Sequence, residues 1–216
     1  MSVIAYSDSI VTGPEIEPID LDQVKRNCKV TTTAEDSLFD GWISGARQRF
    51  EAESGRHPIR VLRERRYHAA FPTLIELPAP PLLQVVSIQY IDGDGTLTTL
   101  SPSDYAVEPE HTDLRVDAEP AVIYPASGVT WPSVTAIRNA VRVRYYAGYG
   151  RTPGEVPEII RTYLYGLVEA FHKFRSPLHV GDEPMPVPLG YDDFVRNLRW
   201  SGRCKYQPSD GVEVTA

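Results

Sequence analysis

The sequence predicts an α+β protein in which N- and C-terminal helices form a small helical bundle and the segment between them forms an inserted antiparallel β-sheet or sandwich module. Three observations support this prediction. Apolar residues recur at helical spacing in residues 19–55 and again after Val156, whereas residues 56–150 alternate with a period of two between prolines. Because neither set of helices can bury its apolar stripe alone, the two sets are expected to pack together.

Residues 1–18 are predicted to form an extended arm, because glycine and prolines interrupt them and no period is sustained. Regular structure then begins at Asp20, which precedes Gln23 by three residues in the pattern of a capping box. This pattern predicts a short helix that ends at about Cys28.

A longer helix is predicted from Thr32 or Thr33 to Ser54. Thr33 precedes Asp36 by three residues, which repeats the capping pattern. The apolar residues at helical spacing are Leu38, Phe39, Trp42, Ala46 and Phe50. Gly55 is expected to end this helix, because glycine adopts the left-handed backbone conformation of a helix C-terminus without a Cβ clash.

Residues 56–150 form the predicted β module. Its strands are expected at about 59–70, 84–91, 96–100, 104–108, 113–117, 121–124 and 139–147. The last of these strands alternates, with Val141, Val143 and Tyr145 on one face and Arg142, Arg144 and Tyr146 on the other.

Within this module, the sequence Asp92-Gly-Asp-Gly95 lies between two runs typical of strands. Aspartate and glycine both tolerate left-handed backbone angles, which favours a hairpin turn. A calcium loop would need further oxygen ligands after Gly95, and a phosphate loop would need a helix there, but the sequence continues Thr-Leu-Thr-Thr-Leu. The hairpin is therefore the preferred interpretation.

A third helix is predicted to begin at Pro157 and to end near Arg175, before Pro177. Its apolar stripe consists of Ile160, Leu164, Leu167 and Phe171. Residues 177–190 are rich in proline and glycine and are predicted to be a loop, followed by a short helix over residues 191–200. The predicted helical core thus comprises residues 19–55 and 155–200, and residues 201–216 form a C-terminal tail.

The chain of 216 residues carries a net charge of −7, which argues against a general nucleic-acid binder. Two clusters of arginine, in residues 60–66 and at Arg142 and Arg144, lie in strand-like segments and are interpreted as solvated strand faces. The two cysteines are far apart, so a disulfide framework is not expected. No signal-peptide pattern and no run of about 20 apolar residues occurs, so neither export nor membrane insertion is expected.

No catalytic set is evident in the sequence, and no cofactor or metal is predicted. Glu169-Ala-Phe-His172 matches one Glu-x-x-His element of a di-iron bundle, but a second copy is missing. Cys28 ends a helix, where the dipole raises a thiol pKa, and is interpreted as a small buried residue. Gly148-Tyr-Gly150 lacks the third glycine of a dinucleotide loop and is interpreted as a connection from sheet to helix.

The order of several phrases resembles the head–tail connector proteins, or adaptors, of long-tailed bacteriophages, prophages and gene-transfer particles. The matching segments lie between residues 19 and 175: Ile19-Asp-Leu-Asp-Gln-Val-Lys25, Glu53-Ser-Gly-Arg56, Leu77-Pro-Ala-Pro-Pro-Leu82, Val86-Ser-Ile-Gln-Tyr-Ile-Asp-Gly-Asp-Gly95, Ser103-Asp-Tyr105, Trp131-Pro132, Val141-Arg-Val-Arg-Tyr-Tyr-Ala-Gly-Tyr-Gly150 and Val156-Pro-Glu-Ile-Ile160.

This resemblance implies a structural virion protein without catalysis, made in the bacterial cytoplasm and assembled at the head–tail interface. It implies a ring, twelvefold like the portal, that joins the capsid to a stopper or tail component and continues a channel through which DNA passes without specific binding. It also implies that the C-terminal segment docks on the portal protein. The residues that correspond to this segment are Arg199, Trp200, Arg203, Lys205 and Tyr206.

A different function class remains open from the residues themselves. The β module is rich in tyrosine and contains Trp131, and aromatic rings on a sheet can form a stacking platform for a sugar or another small ligand. A small-ligand or carbohydrate-binding module is therefore the alternative hypothesis.

Overall fold

A computed structural model describes residues 5–109, 114–174 and 191–199, with side chains in the last range from Phe194 onward. The elements follow in the order β1 (Tyr6–Thr12), α1 (Leu21–Asn27), α2 (Asp36–Ser54), β2 (Val61–Tyr67), β3 (Ile75–Leu77), β4 (Leu82–Ile91), β5 (Leu97–Thr99), β6 (Tyr105–Glu108), β7 (Ala121–Pro125), β8 (Val141–Ala147), α3 (Glu158–Lys173) and α4 (Tyr191–Leu198). The predicted α+β class is confirmed.

The N- and C-terminal helices pack against each other, as predicted. One apolar core joins α2 and α3, and α1 and α4 contribute to its edges; its fully buried members include Phe39, Ile43, Phe50, Ile160 and Leu164. Full burial of such a side chain contributes about 1.5–3 kcal/mol, so this stripe is the main source of cohesion in the bundle.

The helix ends differ in part from the prediction. Asp20 precedes α1, but its side chain makes no capping hydrogen bond. The start of α2 near Thr33 was wrong: the helix begins at Asp36, and its carboxylate is bound by Lys25 Nζ at 2.5 Å instead of taking part in a cap. At the other end, Gly55 has a φ of +71° and its N–H donates to the Glu51 carbonyl, which confirms the predicted stop.

The strands form two antiparallel sheets. The larger has the order β1-β2-β8-β4-β5, and the smaller has the order β3-β7-β6. A second apolar core lies between them and includes Tyr67, Ile75, Ile88, Ile123 and Val143. The predicted alternation of β8 is confirmed, because Val141, Val143 and Tyr145 are buried while Arg142, Arg144 and Tyr146 are only partly buried.

Two strands were not predicted and one predicted strand is absent. Strand β1 is exposed along almost its whole length, so its sequence shows no apolar alternation. Strand β3 has only three residues. The strand predicted at residues 113–117 was wrong: residues 114–117 lead into a turn closed by Ala118 N–H and the Arg115 carbonyl, and Val116 packs against the helical core instead of a sheet.

The hairpin predicted at Asp92 is confirmed. Strands β4 and β5 pair directly, and the Asp92 carboxylate accepts hydrogen bonds from the backbone N–H groups of Asp94 and Thr96 and from the Thr98 hydroxyl. These bonds lower the pKa of Asp92, the Thr96 N–H most strongly. The aspartate therefore closes its own turn.

The connection from β8 to α3 ties the sheet to the bundle. Gly148 has a φ of +122°, and a Cβ there would lie 2.7 Å from the Ile59 carbonyl oxygen, so only glycine fits. The next residue, Tyr149, is fully buried in the helical core, and its hydroxyl donates to the Val116 carbonyl at 2.8 Å. Burial raises the pKa of Tyr149, so the hydroxyl keeps the proton that it donates.

Among the residues described, no helix has the length and apolar character needed to cross a lipid bilayer.

Candidate assembly interface

The last helix, α4, is held at its C-terminal end by a buried arginine. Arg56 follows the glycine that ends α2, is 5% exposed, and donates from Nε to the Leu198 carbonyl at 2.8 Å. The final carbonyls of a helix lack partners within the helix and carry partial negative charge, so a guanidinium stabilises them. Val195 and Leu198 are buried in the helical core. The C-terminal end of α4 is therefore held against the rest of the bundle.

A groove of about 370 Å³ lies beside this end, between α2 and α4. Its lining residues are Arg49, Ala52, Glu53, Val195, Arg196 and Arg199. Arg49 Nε is 2.7 Å from Glu53 Oε1, and the other carboxylate oxygen of Glu53 accepts from the Tyr163 hydroxyl at 3.2 Å. Three guanidinium groups thus share this groove with one carboxylate, which suits an acidic partner surface.

Of the five residues predicted to dock on the portal, Arg199 is placed by the structure. It is exposed and lies directly after α4, at the rim of the groove. Trp200, Arg203, Lys205 and Tyr206 lie outside the described residues. The docking role of all five stays a prediction.

Sequence reasoning missed Arg56, which anchors this region. The only local signal is an arginine directly after the glycine of a helix end. Its partner, Leu198, lies 142 residues further along the chain, and no local pattern joins two positions at that separation.

A chain of polar contacts connects the β-sheet to the bundle near the N-terminal arm. Asp8 on β1 accepts from Arg63 on β2, with Oδ1 2.7 Å from Nη2. Arg63 Nη1 lies 2.8 Å from His57 Nε2. On the other side of the ring, His57 Nδ1 lies 3.1 Å from Glu51 Oε1.

The same chain continues to the arm through α2. Arg47 donates to Glu51 Oε2 at 3.1 Å and to Glu17 Oε2 at 2.8 Å. Burial alone would lower the pKa of Arg47, but its bonds to Glu17 and the charges of both carboxylates raise it above the ordinary value. Residues from the arm, α2 and the sheet are therefore joined by charged groups that are largely shielded from water.

The residues considered as candidates for catalysis or metal binding are packed among other side chains of the bundle. Burial raises the pKa of Cys28, and the charge of Glu169 adds to the increase, so the thiol is kept from its reactive form. His172 stacks on Phe39 with ring centroids 5.3 Å apart and meets Trp42 edge to face. Across the described ranges, no group of three or more His, Cys, Asp or Glu side chains is close enough to hold a metal ion.

The aromatic residues of the β module mostly face its interior. Trp131 stacks on Phe71 with centroids 4.8 Å apart and nearly parallel rings, and its indole N–H points to the Thr73 carbonyl at 3.4 Å. Tyr67 and Tyr145 are buried in the sheet core. Few of these rings are exposed on the surface, where a sugar could stack on them. The arrangement therefore disfavours the carbohydrate-binding alternative.

Comparisons with solved structures identify the fold, although no protein-family model and no curated protein matches the chain. The fold is shared with chains from the neck and virion of gene transfer agent particles. A chain from the neck of an empty gene transfer agent particle, computed with C6 symmetry, has a TM-score of 0.67 at 16% identity and covers 94% of this chain and 100% of its own length.

Two further structures show the same likeness. A chain from the virion of a native gene transfer agent particle has a TM-score of 0.68 at 18% identity, over 93% of this chain and 99% of that chain. A chain from the neck of a native particle computed with C12 symmetry has a TM-score of 0.65 at 17% identity, over 94% and 100%. The shared fold therefore extends over both the bundle and the β module.

Proposed function

We propose that this protein is a head–tail adaptor of a phage-like particle, which assembles as a ring beneath the portal and joins the DNA-filled capsid to a stopper or tail component. The observation that carries this proposal is the fold likeness to gene transfer agent neck chains over nearly the full length of both chains. A match of this extent includes the inserted β module, which a shared helical motif alone would leave out.

The ring symmetry and the location proposed for this protein are based on the compared particles. Their neck structures were computed with C6 and C12 symmetry, which supports a ring of this chain, twelvefold in the proposal. In such a ring, one surface of each copy meets a different surface of the next copy. The proposed location is the neck of the virion.

The portal contact is proposed to start at Arg199 and to include Trp200, Arg203, Lys205 and Tyr206. Arg56 holds the end of α4 against the bundle, beside the groove between α2 and α4. Arginine and aromatic side chains are enriched at the energetic centres of protein interfaces. The proposal involves no catalysis and no cofactor.

Decoration of purified portal rings, observed by electron microscopy, tests this function. The full chain is expected to add a ring of density to one end of the portal. A chain that ends at Arg199 is expected to lose that density while it keeps its helical content by circular dichroism. Portal rings that stay bare with the full chain would refute the adaptor function.

A charge reversal separates the docking site from a general charge effect. Arg199→Glu is expected to weaken decoration, whereas Arg151→Glu, at an exposed arginine of the loop before α3, makes the same change of charge elsewhere and is expected to leave it intact. Equal effects of the two variants would contradict the assigned docking residue but not the ring itself.

A further inference from the structure

The side of the five-stranded sheet that faces away from the apolar core has an unusual composition. Cross-strand partners in a sheet point to the same side, so the register defines its rows. One row crosses all five strands and consists of Ser7, Arg66, Arg142, Gln89 and Thr99. The next row consists of Ser9, Glu64, Arg144 and Ser87. We call these two rows the outer sheet face.

This face is cationic, although the chain as a whole carries a net charge of −7. Its single carboxylate, Glu64, is 1% exposed and is bound by both Arg66 and Arg144, with Arg144 Nε at 2.5 Å from Oε2. The side chains of Arg66 and Arg144 remain 41% and 44% exposed. The single negative charge of Glu64 therefore neutralises only part of the positive charge of Arg66 and Arg144, and it lies beneath their guanidinium groups. The charge of Arg142 is added to this.

Arg142 takes no part in the ion pairs that Glu64 makes with Arg66 and Arg144. Within the described part of the chain it has no carboxylate partner, and its Nε is enclosed without a hydrogen-bond acceptor. It lies directly opposite Arg66 in the antiparallel register. Like charges at directly opposed positions destabilise a sheet, and an external anion placed between them would relieve the repulsion.

The chemistry of the face favours a phosphate backbone over a protein surface. Serine, threonine, glutamine and arginine are the side chains that commonly contact DNA phosphates. Protein–protein interfaces centre on apolar and aromatic anchors. The two rows contain none, and the apolar and aromatic side chains of this side, such as Leu62, Tyr146 and Leu97, lie only in the rows that flank them. Interfaces with DNA are more polar and more positively charged. The major groove of DNA admits an α-helix or a two-stranded ribbon, so this five-stranded sheet is expected to contact the backbone without regard to sequence.

We propose that the outer sheet face is the surface of this protein that contacts double-stranded DNA through the phosphates, with Arg142 as the arginine of the two rows that has no carboxylate partner among the described residues. This proposal rests on the proposed adaptor function, because the DNA is the DNA that passes through the adaptor ring. It places the outer sheet face in the channel of that ring. Each copy would neutralise about two or three phosphates, so its binding is weak and strongly dependent on salt. Weak contacts of this kind let DNA slide.

Fluorescence anisotropy with a short labelled duplex and the purified chain tests the proposal. Wild-type protein is expected to bind at low salt. Arg142→Gln is expected to weaken binding several-fold, up to about tenfold, and to reduce the slope of log affinity against log salt by about one. Arg142→Lys keeps the charge and is expected to retain the wild-type slope, which also guards against a folding defect in the first variant.

Arg26→Gln is the matched control, because Arg26 is exposed on α1 and the change of charge is the same. It is expected to leave DNA affinity unchanged. An equal loss with Arg26→Gln, or no binding by the wild type at low salt, would overturn the proposal. So would a result in which Arg142→Gln leaves DNA binding intact but weakens association between copies, since the face would then belong to a protein contact.

The two proposals fail separately. Portal decoration by Arg142→Gln is expected to match the wild type, because none of the proposed docking residues belongs to the outer sheet face. If the protein binds DNA through Arg142 but never decorates portal rings, the proposed DNA-binding face is supported and the proposed adaptor function is refuted. If the protein decorates portal rings but does not bind DNA, the adaptor function is supported and the DNA-binding face is refuted.

Discussion

The helical bundle and the five-stranded sheet place charge very differently. In the bundle the buried stripe is apolar, and its ion pairs, such as Lys25 with Asp36 and Arg47 with Glu51, lie beside that stripe. In the sheet, charged side chains lie within the strands on both faces: Glu64 is almost fully buried on one, and Arg65 on the other lies over the ring of Tyr6 at 3.9 Å. The stability of the bundle therefore depends mainly on apolar packing, whereas the stability of the sheet depends also on the protonation state of its charged side chains.

The largest expected effect comes from a cavity in the bundle. Leu164→Ala removes a fully buried side chain of α3 and is expected to lower the free energy of unfolding by about 2–5 kcal/mol, measured by urea denaturation. Ile159→Ala on the same helix is the control, because Ile159 is 51% exposed. Similar losses from the two substitutions would show that packing is not what distinguishes the bundle.

A smaller loss is expected from the buried carboxylate of the sheet. Glu64→Gln removes the negative charge and one of the two acceptor oxygens that bind Arg66 and Arg144, and it is expected to cost about 2 kcal/mol, since both arginines are exposed enough to regain water. Glu158→Gln, at an exposed i,i+3 pair with Arg161, is expected to change stability by less than about 0.5 kcal/mol.

The contribution of Glu64 also depends on pH. Burial would raise its pKa, but the hydrogen bonds from Arg144 and Arg66 lower it below the ordinary value of 4.5. A lowered native pKa means that the unfolded chain binds more protons, so the contribution is complete above pH 4.5 and is lost as the pH falls through the native pKa. The stability difference between wild type and Glu64→Gln should therefore be constant near neutrality and shrink in acid. A difference that grows in acid would contradict this.

The smallest effect on stability is expected on the same face. Arg142→Gln is expected to shift the free energy of unfolding by less than about 0.5 kcal/mol, because Arg142 has no ion-pair partner among the described residues and opposes Arg66. Thermal denaturation followed by circular dichroism checks this. A large loss would mean that Arg142 is a structural residue, and its effect on DNA binding would need another variant.

The sequence predicted the elements whose periodicity reflects burial on one side. The stripe of α3, most of the stripe of α2, the alternation of β8 and the turn at Asp92 were found where local pattern placed them. Leu38, which was predicted to belong to the stripe of α2, is 49% exposed. Strand β1 was missed because both of its faces are exposed, and the start of α2 was misplaced because Lys25, from another helix, takes the Asp36 carboxylate. Such pairings depend on tertiary structure, which a local pattern does not contain.

The candidate interface was less predictable than the fold. Arg199 was selected from the resemblance, and its position beside a groove follows from α4 packing on α2. Arg56, which holds that helix, and the cross-strand pairing of Arg66 with Arg142 depend on contacts between segments far apart in sequence. The arginine clusters were visible in the sequence, but the register that brings them into two neighbouring rows of one face was not.

Insertion of the β module between the helices has a consequence for synthesis on the ribosome. The apolar side of α2 is complete at Ser54, but its main partner begins only at Glu158. At a typical elongation rate the nascent chain carries this uncovered stripe for roughly 5–20 s. Over that interval α2 is a natural substrate for chaperones, and slow translation of the module would prolong the risk of aggregation.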